Sequence, residues 1–335
     1  MKAAYIDHTG PPEVIRYGEL PTPELGPNDV LVQVKAVAVN PIDTYIRAGK
    51  FPLRLRCPFI VGRDMTGIVA EVGSAVTRFR PGDRVWANNQ GYAGRQGSFS
   101  EYCAVRQDLL YPLPPGADFR ETVAVVHSAL TAVLGLQFKA KLAAEETLFV
   151  NGGDGNVGNA IVRIAKAMGA RVAVTSSNPE KAESIREAGA DLVIDYKRED
   201  LPGALKNFAP EGIDIYWDAT PQPDAMLAVR AAAQRGRIVF MAGANHETVF
   251  PSGRFYLKNC TLYGFTVTDA TAEELADYAV EINQWLAQGI LKARIDRVLP
   301  LSQAPEAHRL VESGKLLGKV VLEPERQAPY SESAE

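Results

Sequence analysis

The run GDGNVG at residues 153–158 has the glycine spacing of a phosphate-binding turn. Glycines at such positions let the backbone turn tightly and approach a pyrophosphate, while a following helix N-terminus offers free N–H groups and a partial positive charge. The pattern alone is weak, but here it follows the apolar strand ETLFVNG (146–152) and precedes an apolar stripe at helical spacing. We therefore predict a dinucleotide site, in preference to a glycine-rich turn without a ligand. Its predicted contacts are Gly153, Gly155, Asn156, Val157 and Gly158.

The end of the next strand, RVAVTS (171–176), bears on which dinucleotide binds. Sites for NAD usually carry an Asp or Glu there to bond the ribose 2′-hydroxyl, whereas this chain continues as TSSN (175–178). Ser176 and Lys181 would suit a 2′-phosphate as a donor and a cation, and Tyr196, after the third strand, could add another donor. The missing acid favours NADPH as the cofactor over NADH, although Lys181 taken alone could equally be a solvated surface charge.

Residues after later strands complete the predicted nucleotide groove. Ligands of open α/β sheets lie beyond the carboxyl ends of the strands. Asp218 ends one predicted strand, and Ala244 and Asn245 follow another. Phe265 and Val267 follow a further candidate strand. We expect Ala244, Asn245, Phe265 and Val267 to line the groove through backbone groups.

Two patterns of elements position these residues. From about residue 124 onward, strands and helices alternate, which implies a parallel sheet with right-handed crossovers. The preceding residues instead form short strands separated by Pro and Gly, such as VLVQVKAVAV (30–39). A capping box of Thr271 and Glu274 predicts a late helix that runs to Gln288. The polar segment 325–335 is predicted to be a flexible tail.

Composition excludes several classes of protein. The 36 Lys and Arg residues against 40 Asp and Glu give a net charge of −4, which argues against the basic face that nucleic-acid binding needs. The three cysteines, Cys57, Cys103 and Cys260, are too few and too dispersed for a disulfide framework or a cysteine zinc cluster. No segment predicts a signal peptide or a membrane span. We therefore expect a cytoplasmic protein with neither nucleic-acid nor membrane partners.

Several motifs, taken in order, resemble a known family over nearly the whole chain. They are NPIDTYIRAG (40–49), GRDMTGIVAEVG (62–73), PGDRVWA (81–87), GSFSEY (97–102), ALTAV (129–133), the glycine run and GKVVLEP (318–324). The set resembles the medium-chain dehydrogenase/reductase superfamily, and within it the zinc-free, zeta-crystallin-like NADPH:quinone oxidoreductases. That resemblance implies an α/β protein with a GroES-like, mostly β catalytic domain and a Rossmann-fold, parallel-sheet nucleotide-binding domain. The expected boundaries are 1–123 for the first part of the catalytic domain, 124–266 for the nucleotide-binding domain, and 267–324 for the return to the catalytic domain.

The resemblance also bears on metal binding. Zinc-dependent members carry a Cys where this chain has Asn40 and a His where it has Arg63. A catalytic zinc ion needs about three protein ligands around an open position, and both of these ligands are missing. The expected site therefore contains no metal.

Without zinc, the work left for the protein is to orient and desolvate the hydride donor and acceptor. The resemblance places Asn40 and Tyr45 at the substrate end of the site and Thr131 near the nicotinamide amide. Asn40 would bond a substrate carbonyl as negative charge develops there. Tyr45 would stack on a flat substrate or donate a proton, with simple packing as its alternative.

We therefore predict an NADPH-dependent, zinc-independent oxidoreductase that transfers hydride to a quinone or a related conjugated carbonyl. The nearest alternative is an enone, alkenal or enoyl-thioester reductase, and the alternative of another class is a non-catalytic NADPH-binding protein, crystallin-like or RNA-binding. The uncharged, β-favouring segment 259–265 predicts an edge strand through which two copies pair as a homodimer, unless it is an internal strand.

Overall fold

The computed structural model describes residues 1–176, 178–243 and 246–324. Its strands are β1 (Lys2–Ile6), β2 (Arg16–Glu19), β3 (Asp29–Val39), β4 (Phe59–Ile60), β5 (Met65–Val72), β6 (Arg84–Ala87), β7 (Tyr102–Arg106), β8 (Leu110–Pro112), β9 (Thr147–Asn151), β10 (Arg171–Thr175), β11 (Leu192–Ile194), β12 (Ile213–Asp218), β13 (Ala232–Phe240), β14 (Thr261–Gly264), β15 (Ile295–Pro300) and β16 (Lys319–Glu323). Its helices are α1 (Pro41–Arg47), α2 (Phe119–Val133), α3 (Asn156–Ala167), α4 (Pro179–Glu187), α5 (Leu201–Phe208), α6 (Ala225–Ala231), α7 (Ser252–Leu257), α8 (Ala272–Ala287) and α9 (Ala304–Glu312).

The chain divides into two units. The first comprises Met1–Ala124 and the residues from Arg294 onward, and the second comprises Val125–Ala293. The first unit contains a three-stranded sheet, β2-β1-β4, and a larger sheet, β15-β16-β3-β5-β6-β8, in which β7 also pairs with β3. Most of these pairs are antiparallel, but β15 and β16 run parallel. Because β16 pairs with β3, the C-terminal strand completes the sheet that the N-terminal region begins.

The second unit is built on a parallel six-stranded sheet in the order β11-β10-β9-β12-β13-β14. This strand order is that of a dinucleotide-binding fold. The interior strand β9 has the continuous apolar run of a strand buried on both faces, since its first four residues are buried. The predicted α/β architecture is therefore confirmed, with β14 at the sheet edge as expected.

Local signals explain the helices that position the site. Helix α3 buries Ala160, Ile161, Ile164 and Ala165, which are the centre of the predicted apolar stripe. Helix α8 begins after Thr271, whose hydroxyl accepts from the backbone N–H of Glu274. Both helices confirm the prediction from the sequence. They could be predicted because the residues that specify each helix lie within a few positions of one another.

The second boundary between the units differs from the expected one. The sequence places the return to the first unit at residue 267, whereas residues 267–293 belong to the second unit. The reason is the packing of α8: the Tyr278 ring lies 4.4 Å from that of Phe138, and Gln137 donates a hydrogen bond of 3.4 Å to Glu281. The expected tail, 325–335, lies outside the described residues.

One helical stretch, Phe119–Lys139, is long and apolar enough to cross a membrane when judged by length and composition. Its apolar window is 78% buried inside the protein, as in the core helix of a globular protein. The stretch consists of α2 and a π-helical turn, Leu134–Lys139. It therefore gives only weak support for a membrane span.

Candidate active site

The glycine turn packs against the start of α3, as its spacing predicts. A Cβ atom added to Gly158 would lie 2.3 Å from the Cα of Gly153, so the helix approaches the turn at a distance that only glycine permits. A Cβ on Gly153 would similarly lie 2.0 Å from Val174. At Gly155 the nearest atom would be 3.8 Å away, which is ordinary contact. Gly155 and Asn156 are exposed, so the N-terminus of α3 can receive an anion, while Val157 is half-buried.

A network of side chains joins three neighbouring strand ends behind this turn. Asn151, at the end of β9, donates to Asp218 at 2.9 Å and accepts from the Thr175 hydroxyl at 2.8 Å. Thr175 in turn accepts from the backbone N–H of Gly152 at 2.9 Å. Asp218 also accepts from the Thr220 hydroxyl at 2.6 Å. This network holds the glycine turn in place: Thr175 bonds the backbone of Gly152 directly, and Asp218 fixes the Asn151 side chain that Thr175 also contacts.

The corner at the end of β10 contains an acidic residue that the pattern does not predict. Ser176 is buried, and its hydroxyl donates to the Asp154 carboxylate at 3.2 Å. Asp154 comes from the glycine turn, so an acid does approach the strand end, although none follows β10 in sequence. The contact between these two turns could not be predicted from local sequence, because it depends on the tertiary structure. The acidic residue inside the glycine run was the sequence feature that could have pointed to it.

The other residues predicted at this corner have different surroundings. The Lys181 ammonium has no hydrogen bond or ion pair among the described residues, while its backbone N–H donates to the Asn178 cap of α4 at 3.0 Å. Tyr196 is 50% exposed. Ser177 lies outside the described residues. Lys181 is therefore a cation that a ligand can use.

The remaining predicted cofactor contacts are scattered through the second unit. Thr131 is buried in α2, and its hydroxyl donates to the carbonyl of His127 at 3.1 Å. The Phe265 ring packs edge-on against Trp217 with their centroids 5.8 Å apart, and Val267 is buried. Ala244 and Asn245 lie outside the described residues.

In the first unit, Asn40 lies at the centre of a buried polar cluster. The cluster consists of Asn40, Asp43, Asp64, Asn88 and Lys319, none more than 3% exposed. Asn40 caps α1, and its side-chain Nδ2 donates to Asp64 at 2.7 Å while its Oδ1 accepts from the Lys319 ammonium. Asp64 also accepts from the Asn88 amide. Asn40 is therefore held from both sides.

Burial dominates the electrostatics of this cluster. The backbone N–H of Asn40 donates to Asp43 Oδ2 at 2.7 Å, which completes a capping box. Burial, followed by the negative charge of Asp64, raises the pKa of Asp43 to about 7. Burial also lowers the pKa of Lys319 from its ordinary value, although Asp64 and Asp43 oppose that change. The sequence analysis did not predict α1, although the signals were present. Asn40 is a favourable N-cap residue, Pro41 suits the first helical position, and Asp43 stands where the acid of a capping box lies.

Tyr45 lies on the same helix as Asp43 but faces different surroundings. Its side chain is 50% exposed, whereas Asn40 has no exposed surface. The two predicted catalytic residues thus lie at the N-cap of α1 and within it, but not in the same environment. Tyr45 is the one accessible to a substrate in this structure.

The residues at this cluster do not suit a zinc ion. Asn40 stands where zinc-dependent relatives have a Cys, and its carboxamide oxygen is bonded to the Lys319 ammonium. Arg63 is also buried, and its positive charge lowers the pKa of Asp43, so a metal cation at this cluster would be repelled by Arg63 as well as by Lys319. Within 1–176, 178–243 and 246–324, no group of three His, Cys, Asp or Glu side chains is placed to hold a metal.

Comparison with known proteins identifies the family. The family model for the alcohol dehydrogenase GroES-like domain matches residues 26–115, and the model described as zinc-binding dehydrogenase matches 156–282. A quinone oxidoreductase of Pseudomonas aeruginosa is 31% identical over 324 residues, covering 94% of this chain and 97% of the relative. A chloroplastic NADPH-dependent alkenal/one oxidoreductase of Arabidopsis thaliana is 32% identical, covering 97% of this chain and 80% of the relative.

A solved structure gives the same result. Escherichia coli quinone oxidoreductase, in complex with NADPH, superposes with a TM-score of 0.85 at 27% identity, covering 97% of this chain and 100% of that one. The strand order, the glycine turn and the similarity over nearly the full length all indicate the same family. This chain is an oxidoreductase that belongs to the medium-chain dehydrogenase/reductase superfamily, in its zeta-crystallin-like quinone oxidoreductase branch.

Proposed function

We propose that this chain binds a nicotinamide dinucleotide, specifically NADPH, and transfers hydride from it to a quinone without a metal ion. The observation that carries the proposal is the exposed N-terminus of α3 at Gly155, next to β9 where the strand order reverses. Such switch points are where open α/β sheets bind dinucleotides. The bound cofactor would supply the hydride.

The proposed nucleotide-binding residues would act through the glycine turn. The backbone N–H groups at the start of α3 would bind the pyrophosphate, together with the helix dipole. Thr175 and Asp218 keep the turn in the required shape through Asn151 and Gly152. Thr131 stays a proposal for the nicotinamide end. The backbone groups of Ala244, Asn245, Phe265 and Val267 stay proposals for the lining of the cofactor groove.

The choice of coenzyme depends on opposing charges. Among the described residues nothing pairs with the Lys181 ammonium, so it is available for a 2′-phosphate, and Tyr196, after β11, is 50% exposed. The Asp154 carboxylate at Ser176 would repel the same phosphate. We propose that the attraction of the 2′-phosphate to Lys181 is stronger than its repulsion by Asp154. NADPH then binds more tightly than NADH, but the ratio of the two affinities is smaller than it would be without Asp154.

The proposed substrate-binding residues would act through α1 and the residue that precedes it. Asn40 uses one amide hydrogen on Asp64, and the other would bond a substrate carbonyl as negative charge develops there. Because Asn40 has no exposed surface in this structure, this role requires substrate binding to uncover its amide. Lys319 and Asp64 fix the orientation of that amide from its two ends. Tyr45, half-exposed, would stack on a flat ring or donate a proton.

The test is an NADPH-oxidation screen against small quinones, 2-alkenals, cyclic enones and enoyl thioesters. Oxidation with quinones at the highest kcat/KM supports the proposal, and no oxidation with any quinone contradicts it. A preference for alkenals or enones would favour the second candidate, which the 32%-identical Arabidopsis thaliana relative supports by its name. A salt-sensitive gel shift with RNA, without turnover, would favour the non-catalytic alternative.

We also propose that two copies associate through β14 and that the protein is cytoplasmic. Strand β14 pairs only with β13 among the described strands, so its other edge is open to a partner. Leu262 on this strand is 40% exposed, and Tyr256 and Leu257 of the preceding helix are 68% and 66% exposed. An apolar, unpaired edge of this kind suits antiparallel pairing across a two-fold axis. The three unpaired cysteines suit a reducing compartment.

A further inference from the structure

A basic groove lies on the first unit, outside the buried cluster around Asn40. It is lined by residues 53–56, 59 and 91–95 and encloses about 280 Å³; we name it the arginine groove. The segment 53–56 lies between α1 and β4, and the segment 91–95 follows β6. Three arginines, Arg54, Arg56 and Arg95, line it, and no Asp or Glu is among its described lining residues.

The two loops of the arginine groove are held together by one side chain. Gln96 Nε2 donates to the carbonyl of Pro58 at 3.1 Å and to that of Arg56 at 3.4 Å. Its Oε1 accepts from the backbone N–H of Ile60 at 2.7 Å. Because these bonds join the loops, the groove is formed before any ligand arrives, which reduces the entropic cost of binding.

The positive charges of the arginine groove are not compensated within it. Arg54 and Arg56 are exposed and form no ion pair among the described residues. Arg95 is half-buried; it donates to the carbonyl of Asn89 at 2.8 Å, while its Nε has no hydrogen-bond partner among the described residues. These guanidinium groups therefore have donors that an anion could accept from.

The charges around Arg95 confirm this excess. Burial, followed by the positive charges of Arg63 and Arg106, lowers the pKa of Arg95. Asp108 acts in the opposite direction, and its carboxylate is already bonded to Arg106 at 2.6 and 3.0 Å. The chain as a whole carries a net charge of −4, so the positive charge here is local.

The chemistry of the lining indicates the class of ligand. A guanidinium presents a planar set of donors that matches a carboxylate or a phosphate group. Phe59 and Tyr92, with Leu53 and Leu55, add apolar and aromatic surface beside the arginines. The arginine groove thus suits an anionic group attached to an apolar or aromatic body.

The arginine groove also adjoins the helix that carries the proposed substrate residues. Phe59 and Gly91 line the groove and also a small gap against Asp43 and Ile46 of α1. Helix α1 begins after Asn40 and carries Tyr45. We propose that the arginine groove binds a carboxylate or phosphate substituent of the substrate, so that the preferred substrate is an anionic conjugated carbonyl; this rests on the function proposed above.

A kinetic test compares matched substrates. The pair is a 1,4-naphthoquinone with a propanoate side chain and the methyl ester of the same compound, which differ only in charge. In Arg54→Gln/Arg56→Gln we expect KM for the acid to rise about tenfold or more, because hydrogen bonds to charged groups are lost, with kcat little changed and the ester unaffected. Arg56→Lys keeps the charge but loses the planar set of donors. Its KM for the acid should therefore lie between that of the wild type and that of the double variant.

The matched control is Arg78→Gln/Arg80→Gln. It removes the same amount of charge from two exposed arginines of the same unit, Arg78, which donates to the Gln107 carbonyl, and Arg80, which pairs with Asp83, and neither lines the arginine groove. The preference of the wild type for the acid should also shrink when NaCl is raised from about 20 to about 500 mM, since exposed charges are screened. Equal KM values for acid and ester, or the same loss in the control, would overturn the proposal.

A binding test separates this proposal from the proposed function. Naphthalene-2-propanoate and its methyl ester are not reducible as quinones, and calorimetry without coenzyme measures their Kd directly. Tighter binding of the acid by the wild type, lost in Arg54→Gln/Arg56→Gln, supports the groove even if no quinone is reduced. Normal quinone reduction with equal Kd values for acid and ester refutes the groove and leaves the proposed function standing.

Discussion

The buried carboxyl of Asp43 should make the stability of this protein depend on pH in a specific direction. Its pKa is raised from 3.8 to about 7, mainly by burial and then by Asp64, with Arg63 and Lys319 opposing. The folded state thus binds this proton more tightly than the unfolded state does. A raised acid pKa contributes full stability below the unfolded value and loses it as pH rises through the folded value.

The substitution that tests this is Asp43→Asn. Asparagine keeps an oxygen to accept from the backbone N–H of Asn40 but has no proton to lose. A change of about three pKa units corresponds to about 4 kcal/mol at 1.36 kcal/mol per unit. Between about pH 4 and about pH 8, the free energy of unfolding of the variant should therefore rise by about 4 kcal/mol relative to that of the wild type.

Urea unfolding at several pH values, followed by tryptophan fluorescence, measures this difference. Because the Asp43 charge also raises the pKa of Lys319, the difference between the two proteins measures the titration of Asp43 together with the groups coupled to it. The control is Asp83→Asn, because Asp83 accepts from the backbone N–H of Arg80 at 2.9 Å in the same local geometry but is 35% exposed. A difference that stays constant with pH, or a wild type that gains stability relative to Asp43→Asn as pH rises, would refute the reasoning.

Four further predictions follow from the two units. Lys181→Ala should weaken NADPH binding about ten- to hundredfold, the value of one charged contact, and leave NADH nearly unchanged, whereas Asp154→Ser should widen the preference for NADPH; equal Kd values for both coenzymes in the wild type would contradict this. Gly158→Ala should lower Tm, because its Cβ would lie 2.3 Å from backbone atoms, whereas Gly155→Ala should keep Tm and weaken only dinucleotide binding. Exhaustive chelation should leave activity intact, and a loss that zinc restores would show that the cluster at Asn40 was misinterpreted. Light scattering at micromolar concentration should give twice the 36.3 kDa chain mass, and Leu262→Lys should shift it toward the monomer; an unshifted dimer would exclude β14 as the interface.

Signals that lie close together along the chain were enough to predict part of the fold. The GDGNVG run, the stripe on α3 and the Thr271 capping box each combine residues within one or two helical turns, so their meaning does not depend on distant contacts. The edge position of β14 was also predicted, because a short, uncharged strand ends the nucleotide-binding pattern. The α/β architecture follows from strand and helix alternation in the same way.

Only tertiary structure decided what the predicted site residues touch. Asp154 reaches Ser176 because β9 and β10 are parallel neighbours, so that turns 22 residues apart meet at one sheet edge. Lys319 reaches Asn40, 279 residues away, because β16 pairs with β3. These pairings depend on burial and strand register over the whole unit, and nothing in the local spacing of Asn40 or Ser176 records them. The sequence by itself was therefore enough to predict a dinucleotide-binding turn. Strand pairing over long distances along the chain decided which charged side chains lie beside Ser176 and Asn40.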